Sequence, residues 1–342
     1  MSRAEERFVE SIRMPDGNSQ HVSTMSSNSQ YVSTTSGNLQ SMSTMPDNSW
    51  RVSRTTAPDP MAMPIYMNGS LRLNKALYGL KQAPLLWHTT INEFLLSIGC
   101  IHAYADKNLY LHSRIFLLLY VDDTTILYPQ LASEAAEDLK IALKKEYKMM
   151  DLRKAKLFLG LEIVCQDSGA ITLRQAKYIH TIVKRFRMED ANPAPTPLHD
   201  KMTLETEPQG EIDVDTGHYQ SIVGSLSYAA TASHPDIAFA VSALSRYTSR
   251  PFMLHLTAAK QVLQYLKGTT DLKLVFPHIS ITPSPILGFT DSNFAGDINR
   301  RKSQGGYVFQ VYNGPVSWKS YKQSMVALST MEAEYVACSE AA

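Results

Sequence analysis

The sequence predicts an α+β chain. Three observations point there: an apolar run and a β-branched run flank a tight acidic turn near residue 122, amphipathic helical segments surround that hairpin, and a second hairpin signal sits near residue 313. Formal net charge is +1 over 342 residues, so bulk charge selects no partner class, and the length suits two or three domains.

Residues 1–63 read as disordered. A ten-residue repeat starts at Asn18, Asn28, Asn38 and Asn48, rich in Ser, Thr and Asn, with too few apolar residues to offset chain ordering. Order is expected from Pro64. Leu86, Ile91, Phe94, Leu95 and Ile98 approximate a 3.6 period, giving a helix over 85–98 that Gly99 ends. Ile115–Leu119, Tyr120-Val121-Asp122-Asp123 and Thr124–Tyr128 make a strand, a turn and a strand. Residues 133–150 form an amphipathic helix with Leu139, Leu143, Tyr147 and Met150 on one face.

Lys156–Val164 is strand-like, with Gly160 marking a kink or a close backbone approach. A short strand at 171–173 precedes a basic helix over 175–186, and the proline-rich, acidic stretch 191–215 reads as a linker. Helices follow over 221–230, 235–249 and 256–266. Ile286–Thr290 is a strand that runs into Asp291. Residues 307–312 and 315–319 form a hairpin about Asn313-Gly314, and Ser329-Thr330-Met331-Glu332 is a capping box opening a last helix.

Cys100, Cys165 and Cys338 form no metal pattern and no disulfide framework, which suits a reducing compartment. No apolar run approaches the roughly 18 residues of a membrane span, and the N-terminus lacks a signal-peptide core. The expected location is intracellular, cytoplasmic or nuclear, with no membrane partner.

Asp122 and Asp123 carry the chemistry. Paired Asp residues also make plain polar turns, but carboxylates placed next to an apolar strand are costly without a compensating cation, and Mg²⁺ prefers such hard oxygen ligands. Residues 140–187 hold twelve Lys or Arg against four Asp or Glu, either a solvated helix face or a surface for a polyanion. Lys184, Arg185 and Arg187 are the residues of that block taken as nucleic-acid contacts.

Leu77–Pro84 with Trp87, then Leu119–Asp123, then Phe158–Ile163 follow one another along the sequence, and with them the chain resembles the polymerase polyprotein of copia-type LTR retrotransposons from about residue 65 onward. Leu77-Tyr78-Gly79-Leu80-Lys81-Gln82-Ala83-Pro84 with Trp87 is similar to the family's template- and nucleotide-contacting segment, Leu119–Asp123 to its polymerase metal motif, and Phe158–Ile163 to its primer-grip strand. Tyr219–Tyr228, His234–Ile237 and Tyr265–Gly268 resemble its connecting region. Asp291–Asp297, Trp318–Ser320 and Ala327–Tyr335 resemble the start of its RNase H domain.

The resemblance implies a partial reverse transcriptase palm and thumb over 64–190, an acidic linker and helical connection over 191–284, and an incomplete RNase H-like α/β unit over 285–342. It also implies Mg²⁺ as cofactor, an RNA template and an RNA–DNA hybrid as partners, and association with other polyprotein products. Carried over by residue, Asp122 and Asp123 would be the palm metal ligands, and Asp291 and Glu334 the RNase H ligands. Glu334 is preferred to Glu332 because Glu332 has the capping bond to make. Lys81, Gln82 and Gly160 would lie near nucleotide, template or primer, although Lys81 and Gln82 also suit an ordinary helix start.

The family's third palm carboxylate belongs to an earlier strand. Here Asp16 and Asp47 fall in the repeat, and Asp59 lies between Pro58 and Pro60. The later RNase H acids are expected beyond Ala342. The expectation is therefore a truncated reverse transcriptase fragment, inactive alone. The alternative is a non-catalytic nucleic-acid-binding or assembly protein that reuses the fold.

Overall fold

The acidic hairpin forms, and it is part of a sheet larger than the local sequence signal suggests. A computed structural model describes residues 7–13, 30–33, 70–73, 80–121, 123–147, 149–199, 204, 214–278, 285–297 and 300–342. The chain divides into two units, Met1–Lys154 and Ala155–Ala342. Both mix helices with antiparallel sheets.

In the first unit the strands are β1 (Arg7–Arg13), β2 (Gln30–Ser33), β3 (Ser70–Leu73), β4 (Ile101–His102), β5 (Leu109–His112), β6 (Ile115–Tyr120), β7 (Asp123–Pro129) and β8 (Met150–Lys154). Six of them form one sheet in the order β4-β5-β6-β7-β1-β8, while β2 and β3 pair separately. Helices α1 (Ala83–Ser97) and α2 (Ser133–Tyr147) supply the apolar stripes that cover the sheet.

In α1 the buried residues are Trp87, Ile91 and Leu95, each one turn after the last, with Pro84 in the first turn and Gly99 at φ +87° after the end. They join Ile115, Leu117, Leu119, Ile126, Leu139, Leu143 and Tyr147 in one core. Tyr147 meets Trp87 and Phe94 edge to face, at 5.2 and 5.3 Å between ring centroids.

Three expectations are corrected here. Disorder over 1–63 does not extend to Arg7–Arg13, which lies between β7 and β8 with Val9 and Ile12 buried. The repeat itself falls outside the described residues except for Gln30–Ser33. The second helix stops at Tyr147; Met149 is buried in place of the expected Met150, which is exposed on β8.

The second unit contains β9 (Leu157–Phe158), β10 (Leu161–Cys165), β11 (Ile171–Arg174), α3 (Ala176–Arg185), α4 (Thr216–Ala232), α5 (Ala238–Ser245), α6 (Met253–Gly268), β12 (Leu274–Phe276), β13 (Ile286–Asn293), β14 (Gln304–Val311), β15 (Gly314–Lys322) and α7 (Thr330–Ala341). One sheet runs β12-β11-β10-β9 and another β13-β14-β15. The α3, α4, α5 and α6 side chains share a core built on Ile179, Ile222, Leu226, Leu244, Val262 and Leu266.

The stretch read as a linker is fastened to that core. Leu198 and Leu204 pack on it, and the Gln261 side-chain amide donates to the Thr196 carbonyl at 3.2 Å. The Tyr247 hydroxyl donates to the Leu204 carbonyl at 2.8 Å. The Trp318 indole donates to the Ala230 carbonyl at 2.7 Å, so the last sheet is joined to α4 within the same unit.

The second hairpin turns at Tyr312-Asn313, both at positive φ, because Val311 pairs with Gly314; the expected Asn313-Gly314 turn is shifted by one residue. Among the described residues no helix is long and apolar enough to cross a membrane.

Candidate functional site

Tyr120 pairs with Asp123, so β6 and β7 join in a tight hairpin just after Tyr120. Val121 has φ +50°. A β-branched residue there costs on the order of 1–3 kcal/mol and needs support from its surroundings. Support comes from Trp87, whose indole N–H donates to the Val121 carbonyl at 2.6 Å. Asp122 lies outside the described residues.

Asp123 opens β7 opposite Arg13, the last residue of β1. The guanidinium grips the carboxylate with both arms, Nε to Oδ1 at 2.5 Å and Nη2 to Oδ2 at 3.1 Å. Arg13 also pairs with Met150 of β8, so its backbone is fixed from both sides.

The acid on β1 is Glu10, and it faces another cation. The buried Lys140 ammonium donates to Glu10 at 2.6 Å and lies 2.6 Å from Glu137 and 3.8 Å from Asp151. Burial works against the Lys140 charge, but hydrogen bonds to Glu10 and Glu137 outweigh it and raise its pKa. Burial likewise opposes the Asp151 charge. The Lys144 hydrogen bond at 3.0 Å and the Arg153 backbone N–H overcome that penalty and lower its pKa. Part of the basic block is therefore spent inside the fold, where sequence reasoning allowed a solvated or nucleic-acid-binding face.

Lys81 is exposed, and Gln82 is the first-cap residue of α1, without a side-chain capping bond. Gly160 occupies a tight turn between β9 and β10 in which Leu159 and Gly160 both have positive φ. The Tyr228 hydroxyl donates to the Leu159 carbonyl and would lie 2.8 Å from a Cβ at Gly160. What closes on Gly160 is thus the Tyr228 side chain.

Lys184 and Arg185 form the last turn of α3, and Arg187 follows at φ +56°. All three are exposed. Arg185 donates to the Ser221 hydroxyl at 2.9 Å and lies 5.4 Å from the Phe186 ring centroid.

In the last sheet Asp291 pairs with Gly306 and lines a cavity of about 290 Å³ together with Asp236, Phe239, Tyr307 and Lys319. Its neighbour Ser292 accepts from Gln323, which also donates to the Ala333 carbonyl of α7. Alternation along the strand therefore turns Ser292 toward α7 and Asp291 toward the cavity. Glu334 is on α7, half-buried. The Ser329 hydroxyl accepts from the Glu332 N–H at 3.2 Å, and the Glu332 carboxylate accepts from the Leu328 N–H at 2.6 Å. The capping role of Glu332 is thus observed, one residue further back than the usual box. Among the described residues no three His, Cys, Asp or Glu side chains gather as a metal-binding group.

Sequence reasoning missed Arg13 and Glu10, whose partners are more than a hundred residues away in the chain. It also missed the surroundings of Asp297, which is buried and ion-paired with Arg246 at 3.7 Å and Lys322 at 3.4 Å. The His234-Pro235-Asp236 and Tyr265 motifs meet: His234 Nδ1 lies 3.2 Å from Asp236, and Tyr265 is hydrogen-bonded to the same carboxylate. Burial and that bond push the Tyr265 hydroxyl up to about 12.

Residues 59–200 match the reverse transcriptase (RNA-dependent DNA polymerase) family. The chain is 41% identical over 281 residues to the retrovirus-related Pol polyprotein from transposon TNT 1-94 of Nicotiana tabacum, covering 79% of this chain and 21% of that protein. It is 35% identical over 272 residues to the corresponding polyprotein from transposon RE1 of Arabidopsis thaliana, covering 77% and 18%. A Saccharomyces cerevisiae protein named for transposon Ty5-1 is 35% identical over 270 residues, covering 77% of this chain and 86% of its own length. The chain thus spans about a fifth of the two plant polyproteins.

Proposed function

Because this chain belongs to the reverse transcriptase family of copia-type retrotransposon polyproteins, we propose that its Tyr120–Asp123 hairpin is a polymerase palm motif. We further propose that the chain alone does not copy RNA. The observation that carries the palm reading is the Trp87 to Val121 hydrogen bond: the segment resembling a template contact and the acidic hairpin, 34 residues apart, form one structure. In this reading residues 64–190 are palm and thumb with β1 added to the sheet, 191–284 are the connection, and 285–342 are the N-terminal part of an RNase H-like unit.

The family generally uses divalent metal ions and acts on nucleic-acid templates. Asp122 and Asp123 would be the hairpin ligands, and Asp291 and Glu334 the pair in the RNase H-like unit. Two-metal phosphoryl chemistry needs carboxylates on more than one strand, placed to hold both ions. Among the described residues the donors beside the hairpin do not fit that need. β1 offers Glu10, which is held by Lys140, and Arg13, which is a cation.

The test is primer extension on an RNA template with Mg²⁺, using the full chain. No extension is expected; extension that disappears in Asp122→Ala would overturn the reading of inactivity. A nucleic-acid-binding role without catalysis is favoured by the exposed cations Lys184 and Arg187 at the end of α3.

A further inference from the structure

We propose that Arg13 is the resident cation of the acidic hairpin, holding Asp123 as a built-in ion pair where the related motif implies a divalent metal. The proposal rests on the palm reading only for the expectation of a metal; the ion pair stands on geometry.

Directly opposed residues on neighbouring strands place their side chains on the same face, with Cβ atoms about 4.5–5.5 Å apart. Arg13 and Asp123 are such a pair. The guanidinium meets both carboxylate oxygens at once, at 2.5 and 3.1 Å. A metal ion approaching Asp123 must displace a planar fork whose geometry matches the carboxylate. Its backbone cannot easily retreat, because β1 is hydrogen-bonded on one edge to β7 and on the other to β8.

Charge acts in the same direction as geometry. Arg stays protonated at every pH at which the protein is folded, so its charge at this position is permanent. The Asp123 side chain is 28% exposed and that of Arg13 41%, so solvent and ions reach the pair and the competition is a real one. Glu10, the acid of β1, gives a metal no alternative, since Lys140 holds it at 2.6 Å.

The deciding measurement is a Mn²⁺ titration of the full chain, with free Mn²⁺ read by electron paramagnetic resonance. The native protein and Asp123→Asn should bind Mn²⁺ equally, because Asp123 is already taken. Arg13→Gln should gain a site at least tenfold tighter than any in the native protein, and Arg13→Gln with Asp123→Asn should lose it. A site in the native chain that Asp123→Asn removes would overturn the proposal, and so would the absence of any gain in Arg13→Gln. Circular dichroism establishes whether Arg13→Gln folds. If it does not, Arg13→Lys, which keeps the charge, must still exclude Mn²⁺, and the comparison of native protein with Asp123→Asn decides.

The outcome is separable from the palm reading. Mn²⁺ bound at Asp123 in the native chain without primer extension would sink the resident-cation proposal alone. Failure to bind any nucleic acid would count against the palm reading and leave the Mn²⁺ result standing.

Discussion

The Trp87 indole holds the Val121 carbonyl at 2.6 Å, so a buried helix side chain fixes the backbone at the tip of an exposed acidic turn. Trp87→Phe should keep most of the packing against Tyr147 and lose this bond, destabilising the protein by about 1–3 kcal/mol. Urea denaturation measures it; a change within error would mean the indole only fills space.

Val121→Gly should do the opposite. Val121 is half exposed, and its φ of +50° suits glycine. Relief of that strain is expected to raise stability by about 1 kcal/mol, less what glycine gains in unfolded-chain freedom. A clear loss of stability would show that the turn is not strained at Val121.

Lys140→Met should be among the most damaging single changes in the first unit. Removing the ammonium leaves Glu10 and Asp151 facing each other without it, a loss of about 3–5 kcal/mol for a broken buried ion pair. pH adds a signature. The Asp151 pKa is lowered from 3.8, so its contribution is present above that value and disappears as pH falls through the lower folded value. The Lys140 pKa is raised from 10.5, so its contribution holds below that value and is lost only as pH rises through the raised one. Denaturation between pH 2 and 5 should therefore lose a component in the native protein that is missing in Asp151→Asn.

Gly160→Ala meets two obstacles, a φ of +76° and the Tyr228 hydroxyl 2.8 Å from the new Cβ. The expected cost is about 1–3 kcal/mol. Tyr228→Phe removes the hydroxyl along with its bond to Leu159, so the double variant should be less unstable than the sum of the two single changes. Strict additivity in thermal melts would show that the hydroxyl and the turn do not compete for the same space.

Replacing Lys184, Arg185 and Arg187 together by Gln should weaken binding to an RNA–DNA hybrid and lower the slope of log affinity against log salt by up to about 3. Fluorescence anisotropy at several salt concentrations reads this. Arg185→Gln alone should contribute least, because its guanidinium is already engaged by Ser221 and Phe186. An unchanged salt slope in the triple variant would place the polyanion elsewhere.

Local signals carried much of the fold. The acidic hairpin, the helix ending at Gly99, the basic helix and the Ser329 cap were legible because each depends on residues within a few positions of one another. What escaped was non-local. Arg7–Arg13 is a short run beside a low-complexity repeat, and nothing within it announces pairing with a strand 110 residues away. Lys140 was one of twelve basic residues in the 140–187 block, and one of its acid partners, Glu10, sits on that distant strand. The ion pairs of Asp297 escaped for the same reason, because Arg246 and Lys322 come from other elements. The family motifs were plain from sequence, while the chemistry around Asp123 depended on the residue opposite it.

In the six-stranded sheet β1 is an interior strand, next to the edge strand β8. This strand precedes both of its ladder partners in the sequence by more than a hundred residues, with β8 the later of the two. Arg7–Arg13 fills the place beside β7, and Met150–Lys154 covers the edge of β1 that β7 leaves open. A protein expressed from Pro64 onward, with the low-complexity region trimmed away as dispensable, would lose the strand between β7 and β8 and leave two bare edges facing each other.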